Sequence, residues 1–580
     1  MLEDWLGLIA KPQEVCFKKD KIMNLKNEVY QVLQQLEYEN LNDLVIDSID
    51  ASKGDFCLPC FAMAKTLHKS PMLIADEIAN KLNLENSNIE KVESVAGYVN
   101  FFLNKSKISK QVLNTFTLNK NEPNNKTVCI DYCSVNLAKY MHIGHLKNTF
   151  LGESLARLFE HFGYKVVRIN YIGDYGTPYG KIIAGFKIYG SEQDVKTRGI
   201  DALQEYYVKF CADEAENENL QQLARDISKK IEEKDSEIYP IYLQVIEIAR
   251  KEAERLLDML GIYFDSWKGE ASYAEDVNKT VELLKSKGLI SISQGATIVD
   301  LSKFDMPPCL IRRSDGASIY ASRDISAAID RYENYKFDKM LYLTAVEQKL
   351  HFAQFFKVLE LANMPFASGL EHVSYGRFSL PNGKISSRRG KQAVLVDLIE
   401  YVLDKANDVI KNRTFSIEKP KDVALKVAKG VLSFNALNIE RNKDAIFDLE
   451  RAFSFEGETA PYMQYTYTRI MSILRKSIDL NLENIDCDYT CLEQIQAFEL
   501  IKMCCSLNKT LSLALDKRDP SIVLKYCMEI CKTLNKYYTV CKILDDNLPQ
   551  VKAKLQLLNL VKDVLNVAFN LICLETMEEM

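Results

Sequence analysis

The sequence predicts a multidomain α/β protein, with an open parallel sheet at its centre, an α+β domain before it and an all-α domain after it. Three observations carry this prediction. A β-branched run, "TVCIDYC" (127–133), gives way to a helical apolar face in "HLKNTFLGESLARLFEHFG", and a second apolar run, "YKVVRINYIGD", follows. Strand, helix and strand over residues 127–172 make one β-α-β unit, for which a right-handed crossover is expected. The alternation returns in "KMLYLTAV", "QKLHFAQFFKVLELAN" and "LEHVSYGRF", and from about residue 400 onward the pattern is almost wholly helical, as in "LLNLVKDVLNVAFNLI".

Taken in order, residues 1–120 mix helical periodicity ("MNLKNEVYQVLQQLEYEN") with short extended runs ("VAGYVNFFLN") and end in the polar stretch "NKNEPNNK". That stretch cannot build a core and reads as a linker. Residues 121–395 form the α/β domain. In its first helix Leu146, Phe150, Leu151, Leu155, Leu158 and Phe162 fall on one face, and Gly163 is the stop. Residues from about 180 to 260 are helical and heavily charged and interrupt the alternation as an insertion. Residues 396–580 form the helical domain.

Composition narrows the function. A formal net charge of -6 excludes a globally basic nucleic-acid-binding protein but leaves room for local basic grooves. No apolar run reaches the ~20 residues needed to cross a bilayer, and "MLEDWLGLIAKPQEV" is acidic where a secretory signal is basic. A cytosolic protein without membrane association is expected. Fifteen cysteines, an odd number scattered from Cys16 to Cys573, read as reduced thiols. Cys57 and Cys60 have redox-motif spacing, and Cys487 and Cys491 are four apart, but neither pair has partner ligands nearby, so both read as coincidence.

Chemistry concentrates in two places. His142-Ile143-Gly144-His145 puts two of the chain's six histidines at the hand-over from first strand to helix. In an open parallel sheet that is where helix N-termini meet phosphate. Three residues apart, the rings can turn to one side, and Gly144 would let a nucleotide approach the backbone. As hydrogen-bond donors they can follow charge developing on a phosphate; the bland alternative is that they only cap or pack a helix. The second place is "GKISSRRGK", which sets Lys384, Arg388, Arg389 and Lys391 within eight residues, next to Gly383 and Gly390, a cationic loop suited to a triphosphate whose leaving pyrophosphate gains charge.

A "HIGH" signature followed more than two hundred residues later by a "KMSKS"-like loop resembles the class I aminoacyl-tRNA synthetases, whose catalytic domain is Rossmann-like. "SVNLAKYMHIGHLKNT", "RINYIGDYGTPYG", "GIYFDSWKGEASY", "DGASIYASRDISAAIDRY" and "EQKLHFAQFFKVLELA" narrow the likeness to arginyl-tRNA synthetases, and "APYMQYTYTRI" is similar to their anticodon-binding domain. The resemblance implies that ATP binds at His142, Gly144, His145, Lys384, Ser386 and Ser387, and that L-arginine binds at Asn136, Glu270, Tyr320, Asp324 and Gln348. It further implies that arginine's carboxylate attacks the α-phosphorus of ATP, and that the arginyl group then passes to the 2'-hydroxyl of the terminal adenosine of tRNA(Arg). Bound tRNA is expected to be needed even for the first step, residues 1–120 are expected at the tRNA corner, and the chain is expected to be a monomer. Mg2+ should travel with ATP, with no protein metal site. The chemistry of arginine agrees, since a planar, always charged guanidinium calls for carboxylates at more than one edge.

Two departures from that pattern stand out. Tyr175 and Pro178 occupy places where tryptophan and glutamine are common, and Ser387 stands where most class I enzymes have lysine. Lys139, three residues before His142, and Arg388 are the candidate replacements for that cation. The rival readings are a non-catalytic synthetase paralogue that binds tRNA or arginine, and a small adenylyltransferase with the same signature. The first would be expected to have degenerate signature residues, and the second has no use for a long helical domain.

Overall fold

The structure, a computed structural model, describes residues 25–38, 41–48, 50–118, 121–314, 319–381, 394–411 and 418–580. These residues gather into two compact units. One holds the described residues up to 118 with 476–508 and 533–564, and the other holds 121–475, 509–532 and 565–580.

In the first unit an antiparallel sheet runs in the order Ile46–Asp47, Phe56–Pro59, Tyr98–Leu103 and Ile89–Val95. The helices Pro71–Lys81 and Lys105–Thr115 each begin at a side-chain cap, Ser70 and Asn104, and bury Ile74 and Ile78, and Ile108 and Val112. Cys57 lies within the sheet and Cys60 just after it; both are buried, and burial pushes the Cys60 thiol up to about 11, so it is inert as a nucleophile.

The second unit is built on four parallel strands: β1 (Thr127–Asp131), β2 (Lys165–Ile169), β3 (Lys339–Ala345) and β4 (Leu370–Tyr375), in the order β4-β3-β1-β2. The chain leaves β1 through helix α1 (Ile143–His161) toward β2, and leaves β3 through helix α3 (Lys349–Leu361) toward β4. The two connections depart in opposite directions along the sheet, so a crevice opens between the carboxyl ends of β1 and β3. Before β3 runs α2 (Tyr320–Tyr335).

Helix α1 differs from the one-sided face read in the sequence. Leu146, Phe150, Leu155 and Leu158 are buried as expected, but so are Lys147, Asn148, Glu153 and Ser154 on its other sides. These polar groups are tolerated because they are paired. Lys147 Nζ donates to Lys443 O at 2.9 Å, and Glu153 accepts from Tyr132 Oη, Arg157 Nε and Arg168 Nε at 2.9, 2.7 and 3.0 Å. Arg157 also donates to the backbone oxygen of Asn570 at 2.8 Å. At Gly152 a Cβ would stand 2.2 Å from the Tyr132 ring, so only glycine lets α1 lie this close to the loop after β1. The polar stretch before β1 does more than link: the side chains of Asn121 and Asn124 donate to the last carbonyls of α1, at His161 and Phe162, both at 3.1 Å.

Between β2 and β3 stand the helices Thr177–Tyr189, Glu192–Arg198, Ile200–Glu214, Glu218–Glu232 and Ile238–Leu260. A small antiparallel sheet, Ile290–Ser293, Ala296–Val299 and Cys309–Arg312, follows them; it is a feature that hydrophobic periodicity did not reveal. Its local signal is Gln294-Gly295, both with positive φ, at the hairpin tip.

Candidate active site

The loop after β1 turns sharply. Cys133 and Ser134 adopt φ of 69° and 49°, two consecutive non-glycine residues in the left-handed region, held by Asn148 Oδ1 accepting from Cys133 N at 3.0 Å. Such residues cost on the order of 1 kcal/mol each and persist where the surroundings fix them. The chain then reaches α1, whose first turn is closed by the two histidines themselves. His142 Nδ1 accepts from Gly144 N at 3.1 Å, and His145 Nδ1 accepts from His142 N at 3.0 Å. A nitrogen that accepts carries no proton, so a neutral ring must hold its proton on Nε2. The rings lie 4.1 Å apart. Partial burial, then the charge of Lys139, lowers the pKa of His142, while burial and His142 bring His145 down to about 3. Both are neutral Nε2–H donors at physiological pH. Capping, one of the two alternatives in the sequence, uses Nδ1 and leaves the Nε2–H of each ring available as a donor.

The structure adds a local reason for Gly144. A Cβ there would meet the His142 ring at 2.9 Å, so glycine is needed for the ring to fold back onto its own helix.

Around this turn lies a cavity of about 620 Å³, with His142, Gly144, His145, Asn148, Gln348, Tyr375 and Arg377 among its walls. A second cavity of about 480 Å³ is walled by Asp131, Asn136, Glu270, Tyr320, Asp324, Gln348 and His351, among others. Asn136, Glu270, Tyr320, Asp324 and Gln348, nominated from distant parts of the sequence, thus come together. Ser134, Thr344 and Gln348 line both cavities.

The second cavity is acidic with its own resident cations. Asp131 on its floor meets buried Arg331 at 2.9 Å, yet burial still raises its pKa. Glu270 Oε2 lies 3.1 Å from Arg323 Nη2, whose guanidinium packs over the rings of Tyr175 and Tyr320. Burial outweighs Arg323 and raises Glu270 to about 7, with Asp324 and Asp174 adding to the rise. Asp324 is held by His351 Nε2 at 2.6 Å instead of by a fixed cation. Asn136 Oδ1 accepts from Ala138 N at 3.0 Å, which leaves its NH2 end for an acceptor. Arg331 and Arg323 thus pair with Asp131 and Glu270, while Asp324 is paired with His351.

His351, Arg323 and the Asp131–Arg331 pair escaped the sequence reading. His351 had a signal, standing three residues after Gln348 at the start of the same helix. Tyr175, read as a packing change, is the platform under Arg323 and also donates to Glu232 at 2.8 Å. Lys139 is exposed and borders a separate small depression with Glu252 and Val394, away from the walls of the histidine cavity. Lys384, Ser386, Ser387 and Arg388, with Arg389 and Lys391, lie outside the described residues. Among the described residues no group of three or more His, Cys, Asp or Glu could hold a metal ion, and no helix is long and apolar enough to cross a membrane.

Comparison with known proteins agrees along most of the chain. The family model described as tRNA synthetases class I (R), catalytic domain, matches residues 107–449. Those for the arginyl tRNA synthetase N terminal domain and the DALR anticodon binding domain match residues 23–103 and 463–580. The arginine–tRNA ligase of Clostridium perfringens is 38% identical over 554 residues, covering 94% of this chain and 97% of that one. That of Halothermothrix orenii is 36% identical over 568 residues, covering 97% and 99%. In fold, the chain is similar to the solved arginyl-tRNA synthetase of Thermus thermophilus, with a TM-score of 0.78 at 22% identity, covering 96% of this chain and 99% of that one. With relatives this similar spanning nearly every residue, and with a parallel-sheet crevice that carries the histidine turn, the chain belongs to the arginyl-tRNA synthetases, the class I enzymes that ligate arginine to tRNA.

Proposed function

We propose that the two adjoining cavities divide the substrates of arginine activation between them. ATP lies in the histidine cavity, with His142 and His145 donating through Nε2 to the phosphates, and arginine lies in the acidic one. The observation that carries this reading is the shared wall of Ser134, Thr344 and Gln348, because a carboxylate and an α-phosphorus that must bond need adjoining sites. Asp324 and Glu270 face the guanidinium, Tyr320 stands at its rim, and Asn136 and Gln348 take the α-amino and carboxylate end. The carboxylate attacks the α-phosphorus, a new P–O bond forms, and the bond to pyrophosphate breaks with its electron pair leaving on pyrophosphate. Mg2+ arrives on the phosphate oxygens of ATP, with water in its remaining places. Lys384, Ser386, Ser387 and Arg388 complete the phosphate site in this reading, with Lys139 or Arg388 as the cation that replaces the absent lysine.

The same reading assigns residues 1–120 to the tRNA corner, 121–395 to catalysis with the helical insertion at about 180–260, and 396–580 to the anticodon. It takes the enzyme as a monomer in the cytosol, where the fourteen unpaired cysteines among the described residues stay reduced. The test is arginine-dependent exchange of label between pyrophosphate and ATP, with and without tRNA(Arg), against citrulline, which is nearly isosteric and neutral. Leaving Asp324 or Glu270 beside an uncharged group costs about 3–5 kcal/mol, so citrulline should be activated hundreds to thousands of times more poorly. Equal activation of the two amino acids would remove the acidic cavity as the arginine site.

A further inference from the structure

The bond made in activation forms where the two cavities meet, and one side chain on that seam has a backing unlike its neighbours. Thr344, near the end of β3, stands with Oγ1 2.8 Å from Nε2 of His372 on β4. The register explains the meeting: Tyr342 pairs with His372, so Thr344, two residues on, projects from the same face as its diagonal neighbour. The His372 ring is held flat against Phe352, with centroids 4.5 Å apart and planes 12° from parallel. Burial brings its pKa down to about 4, so it stays uncharged at neutral pH.

A neutral imidazole has one N–H. When it resides on Nε2 it donates to Thr344 Oγ1, and the threonine proton is free to point into the cavity. In the other tautomer the hydroxyl donates to the ring, and its lone pairs face whatever lies at the seam. Anionic oxygens there select the first arrangement, and the fixed ring plane limits the reorganisation that selection needs.

We propose that the Thr344 hydroxyl is a hydrogen-bond donor to the linkage forming between the arginine carboxylate and the α-phosphate, with His372 as its positioning residue. The proposal rests on the assignment of the two cavities to ATP and arginine. No proton is transferred; the hydroxyl follows charge as it moves onto the phosphate oxygens.

The test uses the full chain with tRNA(Arg), ATP and arginine, and measures kcat and both KM values of activation. Thr344→Val, the same shape without the donor, should lower kcat about 10- to 100-fold with both KM values within about threefold, and Thr344→Ser should restore most of the rate. His372→Phe keeps the stack on Phe352 and should cost less than Thr344→Val, because the hydroxyl remains. Combined with Thr344→Val it should cost nothing further, since both act through one bond. Should the valine variant misfold by thermal melting, Thr344→Ala replaces it with the same expectation. Full kcat in the variant without the hydroxyl overturns the proposal, as does a loss of substrate affinity at unchanged kcat. His142→Ala run in parallel separates the two ideas: if it too leaves kcat intact, the cavity assignment has failed, and if it alone falls, Thr344 has.

Discussion

Lowering the pH from 8 to 6 should weaken the binding of arginine about tenfold, and the reason lies in Glu270. Burial holds its carboxyl at about 7, against 4.5 for an ordinary glutamate, even with Arg323 at 3.1 Å. If only the ionised form receives the guanidinium, about nine-tenths of the sites are competent at pH 8 and about one-tenth at pH 6. The signature histidines do not blur this window, because His145 is held near 3 and His142 is also lowered. The discriminating variant is Arg323→Met. Removing the cation that lowers the Glu270 pKa should move the limb of the profile to higher pH. In the ligand-free protein the sign is the reverse of the usual carboxylate. Because the folded state holds this proton more tightly than the unfolded chain, stability from this group falls as pH rises from about 4.5 to about 7. Arginine binds the ionised form, so the thermal upshift it produces should grow over the same range. Calorimetric titration of arginine without ATP, from pH 6 to 8.5, measures the limb directly. A flat profile in the native chain, or an unmoved one in Arg323→Met, would falsify the role given to Glu270.

His142→Ala and His145→Ala should each lower the activation rate about 100- to 1000-fold with little change in arginine affinity, by pre-steady-state measurement of adenylate formation. Lost affinity at full turnover would return them to capping alone. Between Lys139 and Arg388, a large kcat loss in Arg388→Ala with almost none in Lys139→Ala would assign the missing cation to the loop; the opposite result would assign it to the signature turn. Gly152→Ala should destabilise the catalytic unit by about 2 kcal/mol or more, because its Cβ meets Tyr132 at 2.2 Å, and denaturant unfolding followed by near-UV circular dichroism would read the loss. A neutral outcome would mean that α1 and the Tyr132 ring are free to part.

The architecture was legible where one periodicity dominated. β1 and β2 announce themselves through β-branched runs, β3 through the apolar stretch from Met340 to Leu343, and α1 through its leucines. Strand order was not, because the pairing of β3 with β1, across more than two hundred residues, is decided by which faces the intervening segments cover. The small sheet at residues 290–312 was hidden because its strands, such as "ISIS" and "ATIV", are only four residues long, too short for their periodicity to stand out. In the site, residues in distinctive motifs could be nominated one by one. What linear sequence could not contain was their mutual wiring: that Glu270 already holds an arginine of the protein itself, that Asp324 rests on His351, and that the two histidines spend Nδ1 on the backbone. Those facts arise from pairs far apart in the chain, and each changes the charge or the donor that a ligand meets.

Helix α1 carries the histidines on its first turn, and by Arg157, about 21 Å further along at 1.5 Å per residue, it is bonded to the backbone oxygen of Asn570. Ser154 makes a parallel bond to Leu571. For anyone building chimeras, α1 and residues 565–580 are therefore a single part. A chimera that takes residues 565–580 from a distant relative while keeping this α1 must preserve the backbone path at 570 and 571, or Ser154 and Arg157 lose the carbonyl oxygens they bond to behind the histidine turn. Seams for domain exchange belong elsewhere in the chain.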